Sequence, residues 1–285
     1  MRVRMLASLA LAVTMLIVSC STTSSVDLSR KKDSAHDLIE LLTLAEKGDS
    51  QAQYDVGLIY TNGWGVAQDH ASAAQWFRRA AEGGNAEAQF NLGIMYYKGM
   101  GVDRDYVQAA RWFTVAAEFG YVKAQSNIAF MHSKGLGVEQ DYVQAEKWYR
   151  RAGLQGDLES QKRLGDIYYH GTGLIQDPEE AAHWYLKAAA QGSADAQANL
   201  GDMYYRGVGV KKDPLEAIKW YKAASLQGNA HAQGCLGNIY LNGEGVPQDF
   251  SEAATWFRMA AEQGNSQAQG FLGYFYDHGL GTPQD

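Results

Sequence analysis

One interval constrains this chain more than any other property: aligned on itself at 36 residues, it needs no insertion or deletion from residue 49 to the end. A fixed period of this size marks a stack of like units, each covering the apolar face of the next. Gln53, Gln89, Gln125, Gln161, Gln197, Gln233 and Gln269 form one column, and Trp76, Trp112, Trp148, Trp184, Trp220 and Trp256 form another. A third holds Gly57, Gly93, Gly165, Gly201, Gly237 and Gly273, with Ala129 the exception.

Each unit reads as two helices. In the first half, Ala52, Val56 and Tyr60 stand at i, i+4 and i+8, the spacing of helix A. Glycine pairs such as Gly63 with Gly65, or Gly99 with Gly101, then supply positions where φ > 0 closes the helix and turns the chain. Asp69, Asp105, Asp141, Asp177, Asp213 and Asp249 follow as N-caps for helix B. Glu180, Glu216 and Glu252 at N3 complete capping boxes, and Pro178 and Pro214 sit at N1, where proline loses no hydrogen bond. Along helix B, Ala73, Trp76, Phe77 and Ala80 make one apolar stripe, and Gly84 and its counterparts end it. The expected fold is therefore all-α, an α/α superhelical solenoid of 36-residue two-helix repeats.

A glycine inside helix A costs about 1 kcal/mol relative to alanine, so six such glycines need a reason. The reason expected here is close approach, the bare backbone making room for an aromatic of helix B. Ala129 fits as the next smallest residue.

The N-terminus reads as an address. Arg2 and Arg4 precede an apolar run from Met5 to Val18, of signal-peptide length and shorter than the roughly 20 residues a spanning helix needs. The run ends in Ile17-Val18-Ser19-Cys20, which resembles the bacterial lipobox, whose cysteine is acylated and becomes the new N-terminus. The alternative is an ordinary secretion signal in which Cys20 is incidental; the placement of the cysteine favours lipidation. Residues 1–19 are thus expected to be a lipoprotein signal peptide, 20–35 the lipidated cysteine and a flexible tether, 36–48 an N-terminal helix, and 49–285 the repeats. Six repeats are full and the seventh stops before its helix B, either as a truncation or as an end that docks on a partner or a second copy. Ser21 and Thr22 after the cysteine are non-acidic, which in bacterial lipoproteins goes with the outer membrane, so a lipid-anchored outer-membrane location is expected, on the periplasmic or the surface side.

Charge and cysteine count narrow the function. Losing Arg2 and Arg4 with the leader leaves 23 basic against 32 acidic residues, a net charge of −9 that argues against nucleic acid, and membrane contact is expected only through the lipid anchor. Cys20 and Cys235 are the only cysteines, so a lipidated Cys20 leaves Cys235 without a disulfide partner.

The columns Asn85-Ala86-Glu87-Ala88-Gln89, Leu92-Gly93, Tyr96, Gly99-x-Gly101-Val102, Asp105, Ala109, Trp112-Phe113 and Ala116-Ala117-Glu118-x-Gly120 resemble the Sel-1-like repeat family, a relative of the tetratricopeptide repeat. The resemblance covers about five-sixths of the chain and implies an α/α superhelix that acts as an adaptor or assembly scaffold, without naming a ligand. Some cysteine-rich relatives in that family are linked to β-lactam hydrolysis through paired cysteines, which this chain lacks in its repeats.

Surface candidates come from positions that vary while the scaffold columns stay fixed. Tyr54, Phe90, Tyr97, Phe130, Tyr169 and Tyr205 are the candidate partner-binding residues, on the helix A face that in this repeat class lines the concave groove; the bland alternative is a tolerant solvated face. No two of the seven histidines have the i, i+4 spacing of a zinc helix, so no metal and no cofactor are expected. Ser29-Arg30-Lys31-Lys32 matches a Ser-x-x-Lys pattern only within the polar tether. No nucleophile comes with its base, so the reading is a protein-binding scaffold with a protein or peptide partner and no catalysis. The alternative is an envelope enzyme or glycan-binding factor related to peptidoglycan or β-lactams.

Overall fold

The computed structural model describes residues 35–281, so Cys20 and the tether up to residue 34 lie outside the described residues. Among the described residues there are α-helices and no strands, and no helix is long and apolar enough to cross a membrane. After α1 (Ala35–Glu46), every helix has 13 residues. They are α2 (Ser50–Asn62), α3 (His70–Glu82), α4 (Ala86–Lys98), α5 (Tyr106–Glu118), α6 (Val122–Lys134) and α7 (Tyr142–Leu154). Then follow α8 (Leu158–His170), α9 (Pro178–Ala190), α10 (Ala194–Arg206), α11 (Pro214–Leu226), α12 (Ala230–Asn242), α13 (Phe250–Glu262) and α14 (Ser266–His278). The even-numbered helices are helix A of each repeat and the odd ones from α3 are helix B.

The chain divides into two compact units, one ending at Asp157 and the other starting at Leu158. Within each unit consecutive helices pack in order, and the fold class is the expected all-α stack of two-helix repeats. The helix boundaries follow from local chemistry. Asp69 accepts hydrogen bonds from the N–H groups of Ala71 and Ser72, Asp105, Asp141, Asp213 and Asp249 cap their helices in the same way, and Asp177 accepts the Glu180 N–H alone. Gly63, with φ +69°, ends α2 in the left-handed conformation and donates its N–H to the Ile59 carbonyl. The glutamates at N3 have further partners: the carboxylates of Glu180 and Glu252 accept the indole N–H of Trp184 and Trp256, each one turn on. Of the tryptophan column Trp184 is buried, whereas Trp76, Trp112, Trp148, Trp220 and Trp256 are half-buried, and Trp76, Trp112, Trp220 and Trp256 cover core clusters from the side.

Five of the six helix A glycines make the expected close approach; Gly273, on the last helix, does not, because no helix B ring stands against it among the described residues. A Cβ on Gly57, Gly93, Gly201 or Gly237 would stand 2.6–2.7 Å from the ring of Phe77, Phe113, Tyr221 or Phe257. At Gly165 it would run into the Tyr185 ring.

The glutamine column has an equally concrete role. The side-chain amides of Gln53, Gln89, Gln125, Gln197 and Gln233 are buried and donate to the carbonyls of Ala45, Ala81, Ala117, Ala189 and Ser225, the last turn of the preceding helix. Each of those carbonyls also accepts the N–H of the glycine just past its helix, Gly48, Gly84, Gly120, Gly192 or Gly228, so the glutamine occupies the second acceptor site of a last-turn carbonyl and ties one helix to the next. In four repeats a second glutamine completes the chain: Gln155, Gln191, Gln227 and Gln263 donate to the amide oxygens of Gln125, Gln161, Gln197 and Gln233 at 2.8–2.9 Å. The corresponding residue beside Gln89 is Phe119, which is 73% exposed, and the buried Gln89 Oε1 has no hydrogen-bond partner among the described residues. Phe119→Gln is therefore expected to raise stability by about 0.5–1.5 kcal/mol, by supplying the missing donor. Urea denaturation of the two chains side by side measures it; an unchanged or lower midpoint would mean that Gln89 needs no donor from this position.

Candidate functional site

The variable face of helix A differs in character between the two units. In the N-terminal unit the column starting at residue 54 carries large rings that turn inward. Tyr54 packs on Phe77 with ring centres 5.7 Å apart, and Phe90 lies between Phe113 and Tyr121 at 5.7 and 5.1 Å. Tyr97 meets Tyr106 at 5.2 Å, and burial pushes its hydroxyl above the usual tyrosine range. Phe90, Tyr97 and Phe130 are only 7–8% exposed, so these three proposed surface anchors are core side chains instead. The reason is that an aromatic one turn from a buried column reaches back into the core. Tyr54 is half-buried.

In the C-terminal unit the same column continues as Lys162, Ala198, Gly234 and Gly270. Small residues there leave space, and a cleft of about 310 Å³ opens across α10, α12 and α14. Its lining includes Tyr205, Arg206, Asn238, Gln267 and Phe271, together with Asp202, His231 and Cys235. Tyr205, half-buried, donates its hydroxyl to Glu244 at 2.6 Å, and burial with that bond raises its pKa to about 12. Tyr169 is half-buried too, against His170 and Tyr185 at 5.0 and 6.4 Å. A second cavity of about 300 Å³ lies against Lys162, Asp166, Asp195, Asn199 and His231. Lys162 Nζ reaches Asp195 across it at 3.1 Å.

Two aspartates in the variable column starting at residue 58 are held by buried tyrosines of helix B. Tyr185 donates to Asp166 Oδ1 at 2.8 Å and Tyr221 to Asp202 Oδ1 at 2.6 Å. The pairing was visible in the sequence, because Tyr185 and Tyr221 stand opposite Asp166 and Asp202 where Phe77 and Phe113 stand opposite Leu58 and Ile94. Burial drives both tyrosine hydroxyls far above their usual range.

Asp202 also meets a histidine and a cysteine whose i, i+4 spacing differs from a histidine pair. His231 and Cys235 sit one turn apart on α12, and the His231 Nε2 lies 2.9 and 3.1 Å from the two Asp202 oxygens. Cys235 Sγ is 3.6 Å from His231 Nε2 and 3.9 Å from Asp202 Oδ1. Burial alone pushes the Asp202 carboxyl up, but the hydrogen bonds from His231 and Tyr221 outweigh it and hold it below the usual value. The hydrogen bond to Asp202 and then that to Cys235 raise the His231 pKa to about 10. The thiol and the carboxylate address the same ring nitrogen. A nucleophile with a general base instead needs its orienting carboxylate on the other one. What this set offers is three converging donor atoms.

Helix pairs of constant length, capped by the same aspartates and joined by the same glutamines, define an α-helical repeat protein with a lined cleft on its C-terminal unit. The Sel1 repeat model matches residues 50–85, 86–121, 122–157, 158–193, 194–229, 230–265 and 266–285, and the chain belongs to the Sel1 repeat family. Among solved structures, a protective antigen present in uropathogenic Escherichia coli strains and displaying an SLR fold is 38% identical, with a TM-score of 0.83 over 87% of this chain and 54% of its own. The chain thus spans about half the length of that protein. A Sel1 repeat protein from Oxalobacter formigenes is 37% identical, with a TM-score of 0.71 over 88% of this chain and 72% of its own. A search of the curated proteins found no match.

Proposed function

We propose that this chain is a protein-interaction scaffold, held by a lipid on Cys20 at the bacterial outer membrane, and that its partner binds in the cleft across α10, α12 and α14. The observation that carries the reading is the contrast between columns. Positions that build the stack repeat with few exceptions, while positions 54 and 58 and their equivalents range from aromatic to charged to glycine along the chain, and a cleft opens where the column of residue 54 becomes small. The cleft offers a tyrosine, an arginine and a phenylalanine edge beside amide side chains, the mixture that anchors protein partners. The family assignment supports a scaffold; the place in the envelope rests on the leader and the Ile17-Val18-Ser19-Cys20 pattern.

The test is crosslinking in intact cells followed by identification of the captured protein. Capture by Tyr205→Ala, Arg206→Ala is expected to fall at least about tenfold, as loss of one anchor would make it, with helical content unchanged. Capture that survives both changes would place the partner elsewhere. For the anchor, palmitate labelling of the chain is expected to vanish in Cys20→Ala, and persistent labelling would sink the lipid assignment. Nitrocefin and muropeptide hydrolysis by the purified chain separates this reading from an envelope enzyme; no turnover is expected.

A further inference from the structure

We propose that Asp202, His231 and Cys235 form a binding site for a zinc-class divalent metal ion, with its remaining coordination position facing the cleft. One side-chain donor atom from each of the three residues lies within 4.8 Å of the other two, the one group of at least three such residues among the described residues. A tetrahedral zinc ion with bonds of about 2.0–2.3 Å holds its ligand atoms about 3.3–3.8 Å apart. The separation of 3.6 Å between Cys235 Sγ and His231 Nε2 already fits that frame, and Sγ lies 3.9 Å from the Asp202 carboxylate at Oδ1. The 2.9 Å between His231 Nε2 and Asp202 Oδ2 has to widen by about half an ångström, a side-chain rotation as the ion replaces the hydrogen bond.

The chemistry of the donors selects the metal. A thiolate with an imidazole suits zinc and cobalt, whereas magnesium and calcium take oxygen ligands. Rigidity favours the site as well. His231 and Cys235 are one turn apart on α12, whose N-terminus is capped by the Asn229 side chain. Asp202 is fixed from behind by the Tyr221 hydroxyl on Oδ1 at 2.6 Å, which leaves Oδ2 as the oxygen to bind metal. Other repeats do not reproduce the triplet: the columns of His231 and Cys235 read Gln51 and Asp55, Glu87 and Asn91, Lys123 and Asn127, Glu159 and Arg163, Asp195 and Asn199, and Gln267 and Phe271. A stack that needed these residues for its own stability would carry them in every unit. Cys235 is half-buried, which admits an ion from the cleft while sheltering the thiol.

The starting protein for the test is the full chain carrying Cys20→Ala, in which Cys235 is the single thiol. After chelation and dialysis, zinc chloride titrated by calorimetry is expected to bind at one equivalent. Cobalt chloride is expected to give visible ligand-field bands of tetrahedral intensity with a thiolate-to-cobalt charge-transfer band in the near ultraviolet. Cys235→Ser should abolish the charge-transfer band, and His231→Gln and Asp202→Asn should each weaken zinc at least about tenfold, with helical content unchanged. Tyr221→Phe, which touches the metal only through Asp202, should weaken zinc about tenfold while keeping the cobalt charge-transfer band. No binding of zinc by the folded starting chain would overturn the proposal, and so would binding that persists without the charge-transfer band. Because the readout is metal bound to the isolated chain, its failure leaves the partner-binding reading standing.

Discussion

Gly165→Val is expected to destabilise the C-terminal unit by about 1–3 kcal/mol, the usual penalty for forcing extra methyl groups into a filled core. A Cβ at this position would enter the Tyr185 ring, and that ring has nowhere to go. Tyr185 is 1% exposed, its hydroxyl is bound to Asp166, and Tyr169 stands 6.4 Å away. Helix propensity works the other way, since valine is a slightly better helix former than glycine, so a loss of stability isolates the clash. Gly273 is the matched control. It occupies the same column on α14, and a Cβ there meets nothing within 4 Å. Gly273→Val in the same chain is expected to leave stability unchanged or slightly raised. Hydrogen exchange localises the effect, with faster exchange in α8 and α9 for Gly165→Val and unaltered rates in the N-terminal unit. Equal melting behaviour of the two variants would show that the helix A glycines are not kept for close approach.

Much of this fold was legible in the sequence because repetition turns a weak local signal into a column. One aspartate before an apolar run suggests a cap; six at a period of 36 place the start of helix B in every unit, and all six accept the backbone N–H groups expected of them. The same logic failed where a column varies. The columns of Phe90, Tyr97 and Phe130 vary and hold polar residues in other repeats, which predicts a surface, yet a ring at such a position folds back against Phe113, Tyr106 or the core. Helical periodicity fixes an angle around one helix and cannot say how far a long side chain reaches toward its neighbour. The Asp202, His231 and Cys235 cluster escaped for a different reason. A search for two histidines one turn apart misses a histidine and a cysteine with that spacing, and the third donor comes from α10, 29 residues earlier than His231. Only the stacking of α10 beside α12 brings it in.

Gly101→Ala should be at least as damaging as the change at Gly165, and through backbone rather than side chain. The two glycines of each turn have separate tasks. Gly99 is the left-handed cap of α4 and donates to the Met95 carbonyl. Gly101, with φ +69°, presses its Cα face against the first turn of the preceding helix B, where an added Cβ would collide with the carbonyl group of His70 and stand 2.6 Å from the Ala71 nitrogen. Gly137 meets Tyr106, Gly209 meets Pro178 and Gly281 meets Phe250 in the same way, so this contact joins one turn to the helix of the unit before it. Alanine at φ > 0 alone costs roughly 1–2 kcal/mol. The collision adds to that, because the obstacle is main chain inside a capped helix and cannot rotate aside as a ring can. Gly120→Ala separates the two contributions: Gly120 has φ +89°, but a Cβ there meets nothing within 4 Å. Chemical denaturation of both variants should therefore show a small loss for Gly120→Ala and a loss greater by at least about 1 kcal/mol for Gly101→Ala, the lower end of what overpacking costs. Equal losses would mean that positive φ alone fixes glycine at the second position and that the turn does not bear on the neighbouring unit.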